Sequence, residues 1–133
     1  MTTNLPKQWL DRATEDLTVA RLVLKEQHTA HTCFLSQQCI EKALKAYLLA
    51  KTNSYPRTHK LVDLLVLCQQ IEPAIDQYLT DCTIIDQYYI PTRYPDGIPG
   101  GTASGIPGQR EAEEATTVAQ KILDFITEKL ADY

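Results

Sequence analysis

The chain has 133 residues and a mass of 15.0 kDa, enough for one domain to bury a hydrophobic core without metal or disulfide staples. Its 44% hydrophobic and 23% charged residues are ordinary globular usage, and no apolar run approaches the roughly 18 residues of a membrane span. A net charge of −4 makes the molecule as a whole repel nucleic acid at long range.

Apolar spacing predicts five helical segments and no strand, so the expected class is all-α, an antiparallel up-and-down bundle of four main helices plus a shorter one. The first segment runs from about Pro6 to Gln27, with proline in the first turn, where its missing N–H costs nothing. Its stripe is Trp9, Ala13, Leu17, Ala20 and Leu24, widened by Leu10. The second runs from about Thr32 to Lys51. Leu35, Cys39, Ala43, Ala46 and Ala50, together with Ile40, Leu44, Tyr47 and Leu48, cover more than one face, which marks a central helix.

Thr52-Asn53-Ser54-Tyr55-Pro56 breaks that helix, and Thr58 is placed to cap the third, which presents Leu61, Leu64, Leu65 and Cys68 as far as about Ile71. Glu72-Pro73 interrupts. A fourth helix follows to about Tyr89, burying Ile75, Leu79, Cys82 and one or both of Ile84 and Ile85. Residues 90–108 hold all five glycines and four of the seven prolines, a loop long enough to be functional in a small domain. The last helix, about Gln109 to Ala131, opens with Glu111, Glu113 and Glu114, which suit its positive dipole end. Ala115, Val118, Ile122, Phe125, Ile126 and Leu130 form its core stripe.

Charge is uneven along the chain. Residues 42–60 carry Lys42, Lys45, Lys51, Arg57 and Lys60 with no acid, while residues 61–133 carry a net −8. Such a basic stretch can attract phosphate locally. Cys33, Cys39, Cys68 and Cys82 form no C-x-x-C pair and share no zinc-ligand spacing with the histidines, so they read as small buried hydrophobes and no metal site or cofactor is expected. The N-terminus lacks the apolar stretch of a signal peptide, and the expected location is the cytoplasm, away from membranes.

Four stretches, in this order, carry a resemblance: Trp9 with Ala13-Thr-Glu-Asp16-Leu17; Gln37-Gln38-Cys-Ile-Glu41-Lys42-Ala43-Leu44-Lys45-Ala46; Thr58-His59-Lys60-Leu61; and Arg93-Tyr94-Pro95-Asp96. The chain resembles the HEPN domain over nearly its whole length, residues 1–133 forming one such unit with the Gly/Pro-rich loop at 90–108. The resemblance implies a helical bundle, often a homodimer, in prokaryotes frequently encoded beside a small nucleotidyltransferase. Some members are ribonuclease toxins or inactive relatives of them. The nuclease members use an arginine followed a few residues later by histidine before the last core helix. Arg93 stands near that place, but no histidine follows it, the last being His59. Imidazole is the natural proton-transfer group near neutral pH, so its absence points away from catalysis.

The candidate residues for a nucleotide or phosphate are Gln38, Lys42, Lys45, Arg93 and Tyr94. Gln38, Lys42 and Lys45 lie along adjacent parts of one helical face, and a stiffly held Arg93 guanidinium is equally suited to clamp phosphate or to anchor its loop on Tyr94 and Asp96. Structural or secondary roles are expected for Asp16, Glu41, His59 and Asp96. Glu41 and Lys45 have the favourable spacing for a helix-surface ion pair worth a few tenths of a kcal/mol. Asp16, beside an apolar stripe, needs a basic partner from another helix, and His59 suits a cap or a hydrogen-bonding role. Two functions follow: a non-catalytic dimeric module that binds a nucleotidyltransferase and can take a nucleotide or RNA phosphate, or a metal-independent ribonuclease that pairs Arg93 with an atypical proton donor such as His59 or Tyr94.

Overall fold

The computed structural model describes residues 4–88 and 107–133, which are helical almost throughout. Helix α1 spans Leu5–Lys25, α2 Thr29–Thr52, α3 Leu61–Gln69, α4 Leu79–Asp86 and α5 Gln109–Lys129, with a 3-10 segment at Pro73–Tyr78 ahead of α4. No strand occurs among the described residues.

Helix α1 starts where the Asn4 side chain accepts a hydrogen bond from the Lys7 N–H at 3.1 Å, and Pro6 occupies the first turn. It ends at Lys25, and two residues later the left-handed backbone of Gln27 (φ 64°) reverses the chain. So short a connection makes α1 and α2 antiparallel neighbours, and theirs is the most extensive helix contact among the described residues. Ala13, Leu17 and Ala20 are buried on α1, with Trp9, Leu10 and Leu24 packed at the margin. Thr32 of α2 reaches across to donate to the Ala20 carbonyl at 3.3 Å.

Helix α2 is the axis of the fold. Ile40, Ala43, Leu44, Ala46, Tyr47 and Leu48 are buried on it, and α1, α3 and α5 all pack against it. Each Leu, Ile or Tyr so enclosed contributes about 1.5–3 kcal/mol relative to exposure. Asn53, at φ 62°, stops the helix in a left-handed cap.

Helix α3 is shorter than its apolar pattern predicted, ending at Gln69, and its start is held differently. Thr58 bonds the Lys60 N–H at 3.2 Å, outside the helix, whereas the first two helical N–H groups, of Leu61 and Val62, donate to the Asp86 carboxylate at 2.8 and 3.1 Å. A residue at the end of α4 thus caps α3. The single fourth helix expected after Pro73 is two elements, because proline opens a 3-10 turn before α4 begins. On α4 it is Ile85 that enters the core, while Ile84 stays 43% exposed. Helix α5 closes the bundle with Ala115, Ile122, Ile126 and Leu130 buried, and Phe125 meets Tyr78 edge-on at 5.8 Å.

Candidate functional site

Helix α2 carries Gln37, Glu41 and Lys45 one turn apart on a single stripe, and all three are buried. Glu41 is the hub. Its carboxylate accepts from the Lys45 ammonium at 2.9 Å and meets the His59 Nδ1 at 3.2 and 3.3 Å. Gln37 Nε2 donates to the His59 carbonyl at 2.8 Å, and Gln38 Nε2 donates to the Gln37 Oε1 at 2.8 Å. The chain after α2 is therefore tied back to the middle of α2 through both the ring and the backbone of His59.

Two aromatic neighbours flank Lys45. Trp9 of α1 and Tyr55 of the segment between α2 and α3 stand edge-to-face, centroids 5.3 Å apart at 73°. The Lys45 ammonium lies 5.9 Å from the Trp9 ring centre and 5.2 Å from that of Tyr55, within cation–π range of both. The Glu41–Lys45 pair is consequently not the surface pair its spacing suggested: the two side chains are 6% and 7% exposed. An ion pair so enclosed follows different energetics, in which losing one partner strands a buried charge.

Lys42 projects from the adjacent turn toward α1, where its ammonium pairs with the Asp16 carboxylate. Both lysines proposed from the sequence as phosphate ligands thus already hold an acid: Asp16 for Lys42, Glu41 for Lys45. Beside Lys42 a cleft of about 380 Å³ opens along α1, lined by Leu5, Gln8, Trp9, Arg12 and Lys42. The Arg12 side chain is exposed and makes no hydrogen bond or ion pair among the described residues.

The structure brings Asp16, Gln38, Glu41, Lys42, Lys45 and His59 into one neighbourhood between α1, α2 and the segment preceding α3. Arg93, Tyr94 and Asp96, with most of the 90–108 stretch, lie outside the described residues. Trp9, Gln37 and Tyr55 complete the site although the sequence marked none of them as functional. Gln37 had a legible signal, its spacing of four from Glu41; Trp9 read as core, and Tyr55 as part of a helix break.

The remaining titratable groups have structural surroundings. Burial pushes the thiols of Cys33, Cys39 and Cys68 up to about 12 and raises that of Cys82 as well, so none is a thiolate near neutral pH. Burial also raises Asp86 above the usual carboxylate value, against the opposing effect of its two backbone hydrogen bonds. Among the described residues no group of three or more His, Cys, Asp and Glu side chains is placed to hold a metal ion, and no helix is long and apolar enough to cross a membrane.

Comparison with known proteins is consistent over almost the full length. Residues 6–130 match the HEPN domain. "Putative toxin MJ1304" of Methanocaldococcus jannaschii is 27% identical over 135 residues, covering 95% of this chain and 88% of that protein. The crystal structure of TT1696 from Thermus thermophilus shares 36% identity at a TM-score of 0.78, covering 96% of this chain and 99% of the other. ST0689, described as an archaeal HEPN homologue, shares 28% identity at a TM-score of 0.70, covering 97% and 98%.

Proposed function

This chain belongs to the HEPN family, and on that premise we propose that it works by association rather than catalysis: a homodimeric module that binds a small nucleotidyltransferase and takes up a nucleotide or RNA phosphate. One observation carries this reading. No histidine follows Arg93 anywhere in the chain, so the arginine–histidine pair of the nuclease members is incomplete. The last histidine, His59, is engaged with Glu41 in the network that ties the segment before α3 to α2. The frequent dimerisation of the family supports the dimer.

A specific observation supports the alternative, a metal-independent ribonuclease. The His59 side chain is 62% exposed while its carboxylate partner is 6% exposed, the arrangement in which a buried acid orients an imidazole for proton transfer. The toxin designation of the Methanocaldococcus relative points the same way.

Three measurements on the purified protein separate the two. Sedimentation at micromolar concentration is expected to give a dimer, and co-expression with a neighbouring nucleotidyltransferase is expected to yield a stable complex. Incubation with single-stranded RNA is expected to leave it intact. Cleavage that is lost in both Arg93→Ala and His59→Ala would establish the nuclease reading and remove the first.

A further inference from the structure

The geometry points to the cleft along α1 as the seat of a single nucleotide unit, with Trp9 as the wall for the base and Arg12 as the phosphate ligand. This inference rests on the reading that the module takes up a nucleotide, and it names where and by which side chains.

The cleft, about 380 Å³, falls in the size range of small-molecule sites. Its aromatic wall is set before any ligand arrives. The indole of Trp9 is wedged against Tyr55 and lies beside the Lys45 ammonium, which the buried Glu41 carboxylate holds in turn. A wall prepared in this way costs little ordering on binding, and base stacking on aromatic side chains is how single-stranded nucleotides are generally held. Leu5, 47% exposed on the same lining, extends the apolar surface.

The cleft also has a charged end. Arg12 is an exposed guanidinium without an acidic partner among the described residues, and its planar fork suits a phosphate oxygen pair. Lys42 adds a second cation. Its pairing with Asp16 uses one of three ammonium donors, and the three side chains together leave one positive charge in excess. One turn before Arg12, Gln8 offers an amide donor and acceptor to the edge of a base. Inorganic phosphate would use only the charged end and an aliphatic ligand only the wall; a nucleotide uses both. A free mononucleotide and the terminal unit of an RNA share this chemistry.

Trp9 is the only tryptophan in the chain, so its fluorescence reports on this cleft alone. The full chain is titrated with AMP, with ATP and with a short oligoadenylate, reading tryptophan emission and, independently, equilibrium dialysis. Saturable quenching is expected with at least one probe, together with a loss of affinity of roughly tenfold to hundredfold in Arg12→Ala, partial recovery in Arg12→Lys and unchanged thermal melting. Tighter binding of oligoadenylate than of AMP assigns the site to an RNA end; equal binding assigns it to free nucleotide. Dialysis binding that Arg12→Ala leaves intact but Arg93→Ala abolishes overturns this site and leaves the proposed function standing. No binding of any probe at millimolar concentration overturns both the site and the nucleotide part of that function. Conversion of the dimer to monomer by Arg12→Ala overturns the inference as well, since the cleft would then be covered by the second copy.

Discussion

Replacing Glu41 by glutamine tests the hub of the network at nearly constant volume. The substitution removes a carboxylate that is 6% exposed and leaves Lys45, 7% exposed, without its counter-charge at 2.9 Å. The two aromatic rings flanking the ammonium, at 5.2 and 5.9 Å, compensate only partly. Breaking a buried pair from one side costs about 3–5 kcal/mol, which in a chain of this size lowers Tm by roughly 10–20 °C. The stabilising value of the pair itself is much smaller, because the desolvation of both charges offsets their attraction. Glu41→Gln combined with Lys45→Met, which keeps an unbranched stem against Trp9 and Tyr55, is therefore expected to recover most of the loss. Urea unfolding followed by circular dichroism, at one protein concentration for all four members of the cycle, should give a coupling energy above about 2 kcal/mol. An ordinary surface pair would give a few tenths. If Glu41→Gln lies within about 1 kcal/mol of wild type, or if the two substitutions simply add, the account of a buried hub is wrong.

Asp86→Ala is expected to cost about 1–2 kcal/mol in urea unfolding, the usual value of a lost helix cap, because the Leu61 and Val62 N–H groups lose their acceptor; Asp86→Asn should cost less. The pH dependence has a definite sign. The Asp86 pKa is raised in the fold above 3.8, so its contribution is present in full below that value and is lost as pH rises through the folded pKa. The advantage of wild type over Asp86→Asn should therefore shrink as pH rises from the acid side toward neutrality, and a widening gap in urea midpoints would contradict this. All four cysteines are buried free thiols, so an aromatic disulfide reagent should modify none of them in the native protein at neutral pH and all four once urea unfolds it, read by absorbance; rapid native labelling of any one would refute their burial.

What the sequence determined by itself is the helical class, the extents of α1, α2 and α5 to within a few residues, and the inward faces of the helices. Helix hydrogen bonds close within a few residues and the apolar stripe repeats every turn, so both are local properties. Ala13, Leu17 and Ala20 on α1, and Ile122 and Ile126 on α5, are buried as their spacing requires. The HEPN resemblance was equally legible, since it lies in short ordered motifs. What only the tertiary structure decided is what covers each helix face. Glu41 and Lys45 have the spacing of an exposed pair, and nothing within α2 distinguishes them from one; they are buried because Trp9, some thirty residues earlier, and Tyr55 and His59, beyond the end of α2, close over them. The same holds for Asp86, which caps α3 from 25 residues away, and for Lys42, whose charge is met by Asp16 on α1. The energy of a charge depends on the dielectric around it and on the partner within a few ångströms. Both are set by segments distant in the chain, so the roles of these residues emerge only when α1, α2 and the segment before α3 are packed together.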